Sequence, residues 1–245
     1  MRHLVWHITH GVELGLTEGY ATAHIGKVLN HIPTIYQDYI HPHATNWSRL
    51  VEERQKRTWD MESDLARPNL RKAAVEIACD LLWYRSSKGR ADGMDVYAQI
   101  HNLLETELTI LLSKWGETSL IVREGHSLGS QIMLDACFES RYHTTGLLTL
   151  GSPITKYSGM FPDWGHLPDR ELSFWTNFYA RRDLVSSSFR NHPSEQIKQK
   201  VEDVRATSWN PIDWIALKAH TFYWSNDAVC KTIADRLVNH LVKNP

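Results

Sequence analysis

Short apolar runs alternate with longer amphipathic segments along the chain. The apolar runs are rich in β-branched and aromatic residues, which is typical of buried strands, and they predict strands at about residues 4–9, 34–40, 120–122, 147–150, 172–179 and 201–207. Apolar residues three or four positions apart predict helices at about residues 17–30, 70–84, 96–114, 131–138 and 226–242. Alternating strands and helices indicate an α/β fold, with a mostly parallel sheet of about six or more strands and helices on both faces.

Residues 41–70 interrupt this alternation. They are rich in charge, contain Pro42 and Pro68, and place Trp47 and Trp59 among polar neighbours. This composition predicts an exposed helical excursion that forms a lid or cap over part of a site. A chain of 245 residues with 42% hydrophobic residues can bury one sizeable core, so we expect one domain over residues 1–245.

Charge and cysteine content exclude several classes of partner. The formal net charge is -1, from 27 Lys and Arg against 28 Asp and Glu, so we expect no nucleic-acid partner. Cys79, Cys137 and Cys230 form no CxxC pattern, which argues against a disulfide framework and a structural zinc site and favours the cytoplasm. The first apolar run is short for a signal peptide, and no stretch approaches the roughly 20 apolar residues of a membrane span. We therefore expect no integral membrane association.

The strongest chemical signal is the sequence Gly125-His126-Ser127-Leu128-Gly129, which follows an apolar strand and precedes a helix. In a G-x-S-x-G turn of this kind, a sharp strand-to-helix junction exposes the serine hydroxyl, and the glycines stand where side chains would collide. This context predicts that Ser127 is a nucleophile; the alternative is an ordinary helix-start serine.

A serine nucleophile needs a base, and the base needs an acid to orient it. His220 precedes the last helix, where a loop returns to the top of the sheet, and it is therefore preferred over His166, His192 and His240. We predict His220 as the general base.

The acid is expected between the serine and the histidine in chain order. Asp183 follows a predicted strand by a few residues, at the carboxyl edge where α/β folds place ligand groups. We prefer Asp183, while Asp213, in the loop before His220, remains the main rival and Asp203 falls within a predicted strand.

Acyl transfer also requires two backbone donors for the developing oxyanion. The amide of Leu128, directly after the nucleophile, is the first candidate. The second is the amide of Val12, because Gly11 allows the chain to turn inward after the first strand, and His10 and Gly11 would then border the substrate.

These segments together resemble the lipase and esterase branch of the α/β-hydrolase superfamily, in particular bacterial and phage serine esterases. The resemblance is carried, in order, by residues 9–12, 125–130, 147–153, 177–185 and 220–224. It implies an ester hydrolase with a lipid-like or other small-molecule ester as substrate. Arg123 and Glu124 depart from the pattern, since apolar strand residues usually precede the nucleophile.

Other signals are weaker. His7 and His10 point to opposite faces of a strand, and residues 41–43 have no carboxylate or cysteine cluster beside them, so we expect no metal site. No dinucleotide-binding or P-loop glycine pattern occurs, so we expect no cofactor. Trp164 and Trp224 are candidates for lining an apolar acyl pocket.

The same triad would serve a thioesterase or an amidase, so these remain alternatives to an esterase. A catalytically inactive hydrolase fold used for binding is a further alternative.

Overall fold

The computed structural model describes residues 1–10, 19–47, 81–90, 95–160, 171–207 and 216–245. These residues contain one sheet of six parallel strands in the order β2-β1-β3-β4-β5-β6. The strands are β1 (Leu4–His10), β2 (Ile40–Asn46), β3 (Leu120–His126), β4 (Gly146–Leu150), β5 (Phe174–Tyr179) and β6 (Glu202–Arg205). The predicted parallel sheet is confirmed.

The described helices lie in the connections between the strands, except for the last two, which follow β6. They are α1 (Gly19–Asn30), α2 (Thr34–Gln37), α3 (Val96–Trp115), α4 (Leu128–Glu139), α5 (Ile154–Tyr157), α6 (Glu195–Lys200), α7 (Ala216–Thr221) and α8 (Asp227–Lys243). Local side chains explain two of the starts: Asp95 accepts a hydrogen bond from the Ala98 amide, and Asn226 accepts one from the Val229 amide. No described helix is both long enough and apolar enough to span a membrane.

The two faces of the sheet bury separate sets of side chains. On β1, Trp6 and its neighbours at every second position pack with α1 and α8, for instance against Val28 and Ile233. Val5 points to the opposite face and packs against Leu108 of α3. Helices α3 and α4 pack together on this second face, so helices cover both faces of the sheet, as the alternation of strands and helices predicted.

The second strand differs from the prediction. Residues 34–37 form α2, and β2 begins only at Ile40. Pro42 lies inside β2, opposite Trp6, and is tolerated because β2 is an edge strand of the described sheet and need not donate every amide to a ladder. Residues 41–46 therefore belong to the sheet rather than to the predicted excursion, and residues 48–70 lie outside the described part of the chain.

Candidate active site

The turn between β3 and α4 consists of a single residue, Ser127. Its φ of 54° and ψ of −128° make it the one non-glycine residue with positive φ in the described part of the chain. Such a conformation costs about 1–3 kcal/mol, and functional sites often store strain of this kind. A Cβ on Gly125 would lie 2.2 Å from the Gly129 oxygen, and one on Gly129 would lie 2.8 Å from the Thr9 oxygen. The glycines of the motif are thus required by close backbone packing around the serine.

Three side chains from distant parts of the chain meet at this turn. The Nε2 atom of His220 lies 2.9 Å from the Ser127 hydroxyl oxygen. The Nδ1 atom of His220 lies 3.1 and 3.0 Å from the two carboxylate oxygens of Asp183. All three residues are buried. The structure therefore brings together the predicted nucleophile, base and acid in hydrogen-bonding order.

The carboxylate of Asp183 has two further donors. The amide of Val185 donates to Oδ1 at 2.8 Å, and the hydroxyl of Tyr223 donates to Oδ2 at 2.8 Å. Burial alone would raise the pKa of Asp183, but the charge of His220 and hydrogen bonds with His220, Ser186 and the Val185 amide lower it below its usual value. Asp183 is therefore held as an acceptor for the His220 ring.

Sequence reasoning did not identify Tyr223 as a partner of the acid. Its hydroxyl also lies 2.9 Å from Ser186 Oγ, so it ties the loop after β5 to the segment that carries His220. Its position three residues after the predicted base was the available signal.

The rival residues that the structure describes have other partners. Asp203 accepts hydrogen bonds from the Ser188 hydroxyl at 2.5 Å and the Asn177 amide at 2.7 Å. His192 stacks on Phe189, and His240 contacts Thr145 Oγ1 at 2.8 Å. None of these groups contacts the Ser127 hydroxyl in the described residues. Residues 166 and 213, the remaining rivals, lie outside the described ranges.

His126, the variable residue before the serine, contacts the backbone of His220, the predicted base. Its Nε2–H donates to the His220 carbonyl at 2.7 Å, which requires the proton on that nitrogen. A Cβ on Gly151 would lie 3.1 Å from both imidazole rings, so this position too is closely packed. The ring of His126 thus fixes the backbone from which His220 reaches the serine.

The strand-to-helix turn at residues 125–129 is called the elbow below. Glu124 lies beneath this elbow and is fully buried. Its carboxylate accepts a hydrogen bond from Trp6 Nε1 at 3.0 Å, and His24 Nε2 lies 2.9 Å from the other oxygen. Burial would lower the pKa of His24, but the Glu124 carboxylate and hydrogen bonds with Cys230 and Glu124 raise it to about 10. Glu124 and His24 therefore form a buried ion pair under Ser127.

The predicted oxyanion and substrate-binding residues are described only in part. Leu128 is the first residue of α4, and amides in the first turn of a helix have no intrahelical acceptor. His10 ends β1 beside His126, so the chain leaves the sheet next to the elbow. Trp224 is buried against His24 and His126. Residues 11, 12 and 164 lie outside the described ranges.

Topology and chain order together define the fold. The sheet is parallel, the serine stands on a strand–turn–helix junction, and Ser127, Asp183 and His220 follow one another in that order. The chain has an α/β-hydrolase fold.

Comparisons with known proteins find similarity only among solved structures. No protein-family model matches the chain, and no curated protein matches it. A predicted CIB-like hydrolase from Thermoplasma acidophilum is 12% identical, with a TM-score of 0.47 over 97% of this chain and 87% of that one. A putative hydrolase of the α/β superfamily from Xanthomonas campestris pv. campestris is 15% identical, with a TM-score of 0.47 over 96% of this chain and 98% of that one. An α-β serine hydrolase homologue from Coxiella burnetii is 13% identical, with a TM-score of 0.46 over 98% and 87% of the two chains.

Proposed function

We propose that the protein is a serine hydrolase that cleaves a carboxylic ester through an acyl-serine intermediate. The observation that carries this proposal is the continuous chain of hydrogen-bonding contacts from Ser127 Oγ through the His220 ring to the Asp183 carboxylate. A serine hydroxyl becomes a competent nucleophile only when a positioned base accepts its proton.

The proposed reaction has two acyl-transfer steps. In the first, His220 Nε2 accepts the Ser127 proton while Oγ forms a bond to the ester carbonyl carbon, and the carbonyl oxygen becomes an oxyanion. The Leu128 amide stabilises this oxyanion, together with the Val12 amide proposed from the sequence. When the intermediate collapses, the bond to the alcohol oxygen breaks and His220 returns the proton to the leaving alcohol.

Water then replaces the serine oxygen on the acyl group. His220 accepts a proton from the water, the hydroxide adds to the acyl carbon, and the proton passes to Ser127 Oγ as the carboxylic acid leaves. Asp183 accepts the Nδ1 proton of His220 in a hydrogen bond and stabilises the imidazolium that forms in each step. The Tyr223 hydroxyl and the Val185 amide hold the carboxylate in this orientation.

We propose a small-molecule or lipid-like ester as the substrate, and the cytoplasm as the location. The buried free thiols of Cys137 and Cys230 support a reducing compartment. A series of p-nitrophenyl esters of increasing chain length, with thioester and amide analogues, separates an esterase from a thioesterase or an amidase.

Covalent labelling by a fluorophosphonate probe tests the proposal directly. We expect the wild-type chain to be labelled and Ser127→Ala to lose both labelling and ester hydrolysis. Ser130→Ala is the matched control, because Ser130 is a buried serine three residues further on whose hydroxyl donates to the Gly125 carbonyl. Labelling of folded Ser127→Ala, or an unlabelled wild type, would contradict the assignment, and the second result would favour a binding protein.

A further inference from the structure

Two histidines stand side by side on neighbouring strands, away from the proposed triad. His7 of β1 and His43 of β2 are partners in the parallel register. Alternate residues of a strand share a face, so His7 lies on the same face as Val5, which packs against α3. Glu107 belongs to α3, and its carboxylate is directed at both imidazoles.

The three side chains converge on one point. Glu107 Oε2 lies 3.1 Å from His43 Nε2 and 3.8 Å from His7 Nε2, and the three atoms are all within 4.8 Å of one another. We propose that His7, His43 and Glu107 bind a Zn²⁺ ion that fastens the edge strand β2 and helix α3 to β1.

The separations of the Glu107 carboxylate from the two histidines suit zinc. Zinc bonds to imidazole nitrogen and carboxylate oxygen are about 2.0–2.2 Å long, so tetrahedral ligand atoms stand roughly 3.3–3.5 Å apart. The observed separations differ from this range by a few tenths of an ångström for the two Glu107 contacts. Calcium and magnesium prefer ligand sets made entirely of oxygen, whereas two imidazoles and one carboxylate are a borderline set that zinc favours.

The charges of the ligand set suit a divalent cation. One carboxylate and two imidazoles would offset part of the charge of the ion, and full burial of His7 keeps water from that side of the site.

A hydrogen-bonded network without metal is the competing interpretation. The Thr45 hydroxyl donates to Glu107, and His7 Nε2 donates to Thr45 at 2.8 Å. Zinc on His7 Nε2 requires the ring proton to move to Nδ1, which has no hydrogen-bond partner in the described residues, so this shift breaks no other contact. The buried cation nearest in register, Arg123, is directed at Thr144 and pairs with Glu105.

The exposure of the ligands leaves a route for the ion and for a water as fourth ligand. The side chains of His43 and Glu107 are 35% and 26% exposed, whereas that of His7 is 0% exposed. Arg123 is the register partner of His7 and precedes Ser127 by four residues, so the cluster lies about 13 Å below the nucleophile along the strands. The ion would therefore support the fold and take no part in the proposed hydrolysis.

Zinc titration of the untagged chain, stripped of metal by a chelator, tests the proposal by calorimetry. We expect wild type to bind one equivalent of zinc. His43→Gln and Glu107→Gln should weaken binding by about 10- to 100-fold or more, because that loss is already typical when a residue that supports a metal ligand is changed. The matched control is His41→Gln, which removes a histidine two residues away that contacts His3 and Trp115. It should keep the wild-type Kd.

Melting curves give a second measurement on the same proteins. Zinc should raise the Tm of wild type and of His41→Gln, and should leave the Tm of the two ligand variants unchanged. The metal-free curves also show whether each variant is folded. Absence of one-equivalent binding by wild type, an equal loss in His41→Gln, or unchanged Kd in both ligand variants would overturn the proposal. None of these readouts depends on hydrolysis.

Discussion

The buried pair of Glu124 and His24 beneath the elbow makes a stability prediction with a defined pH dependence. Replacing Glu124 by Gln keeps the shape of the side chain and removes its charge. His24 then has no carboxylate to stabilise the imidazolium, and burial, the largest influence on its pKa, favours the neutral ring. We expect Glu124→Gln to destabilise the protein strongly near neutral pH.

The magnitude follows from the pKa of His24. It is raised from 6.5 to about 10 by folding, so the contribution of this group to stability is fully present below pH 6.5 and is lost as the pH rises through 10. At about 1.4 kcal/mol for each pKa unit, linkage gives about 4 kcal/mol at pH 7 and about 1 kcal/mol at pH 9. Removal of one partner from a buried ion pair typically costs about 3–5 kcal/mol, which agrees with the first figure.

Urea unfolding of wild type and Glu124→Gln at several pH values provides the assay. The difference in unfolding free energy should be about 4 kcal/mol at pH 7 and should shrink toward about 1 kcal/mol at pH 9. Groups that titrate equally in both proteins cancel in this difference. A difference below about 1 kcal/mol at pH 7, or one that stays constant up to pH 9, would refute a charged pair at this place.

Three further predictions concern the site. Asp183→Asn should lower kcat by about 10⁴-fold in steady-state assays, because the required tautomer of His220 is lost. Asp203→Asn should leave kcat unchanged in the folded protein. A large loss of kcat in Asp203→Asn and none in Asp183→Asn would reassign the acid. His126→Ala should lower kcat about 10- to 100-fold, because the His220 carbonyl loses its hydrogen bond from the His126 ring. The pH–rate profile of this variant should still fall on the acid side, whereas His220→Ala should lose both this fall and nearly all activity. Gly125→Ala should lower the unfolding free energy by about 1–3 kcal/mol, since its Cβ would meet a backbone oxygen at 2.2 Å, and an unchanged urea midpoint would contradict this.

The fold could be predicted where the strands are apolar and central. Strand β3 is buried at every position, and its run 120–122 reads as a buried strand without reference to distant residues. The edge strand β2 could not be located in this way, because His41, Pro42 and His43 form a polar stretch that resembles a loop. Its place depends on pairing with β1, and such pairing is a long-range property that local pattern does not contain.

The same distinction between local patterns and long-range contacts applies to the site. That Ser127, Asp183 and His220 meet could be predicted, because the G-x-S-x-G turn is a local motif and strand ends and chain order select the other two residues. The contacts of Tyr223, His24 and His126 could not be predicted, because they join residues that are 40, 100 and 94 positions apart in the chain, respectively. With fourteen histidines in the chain, residue type alone does not select the partner of a given carboxylate.

Strand alternation nevertheless indicates which layer must supply a partner. Arg123 and Glu124 are consecutive residues of a strand that is buried on both sides, so they point into opposite helix layers and each needs a polar partner there. Arg123 meets Glu105 of α3, while Glu124 meets His24 of α1 on the other face. The polar residues before Ser127 therefore allow one contact to be inferred from the strand pattern. A buried carboxylate at position 124 requires a cation on the α1 side of the sheet, and His24 of α1 supplies it.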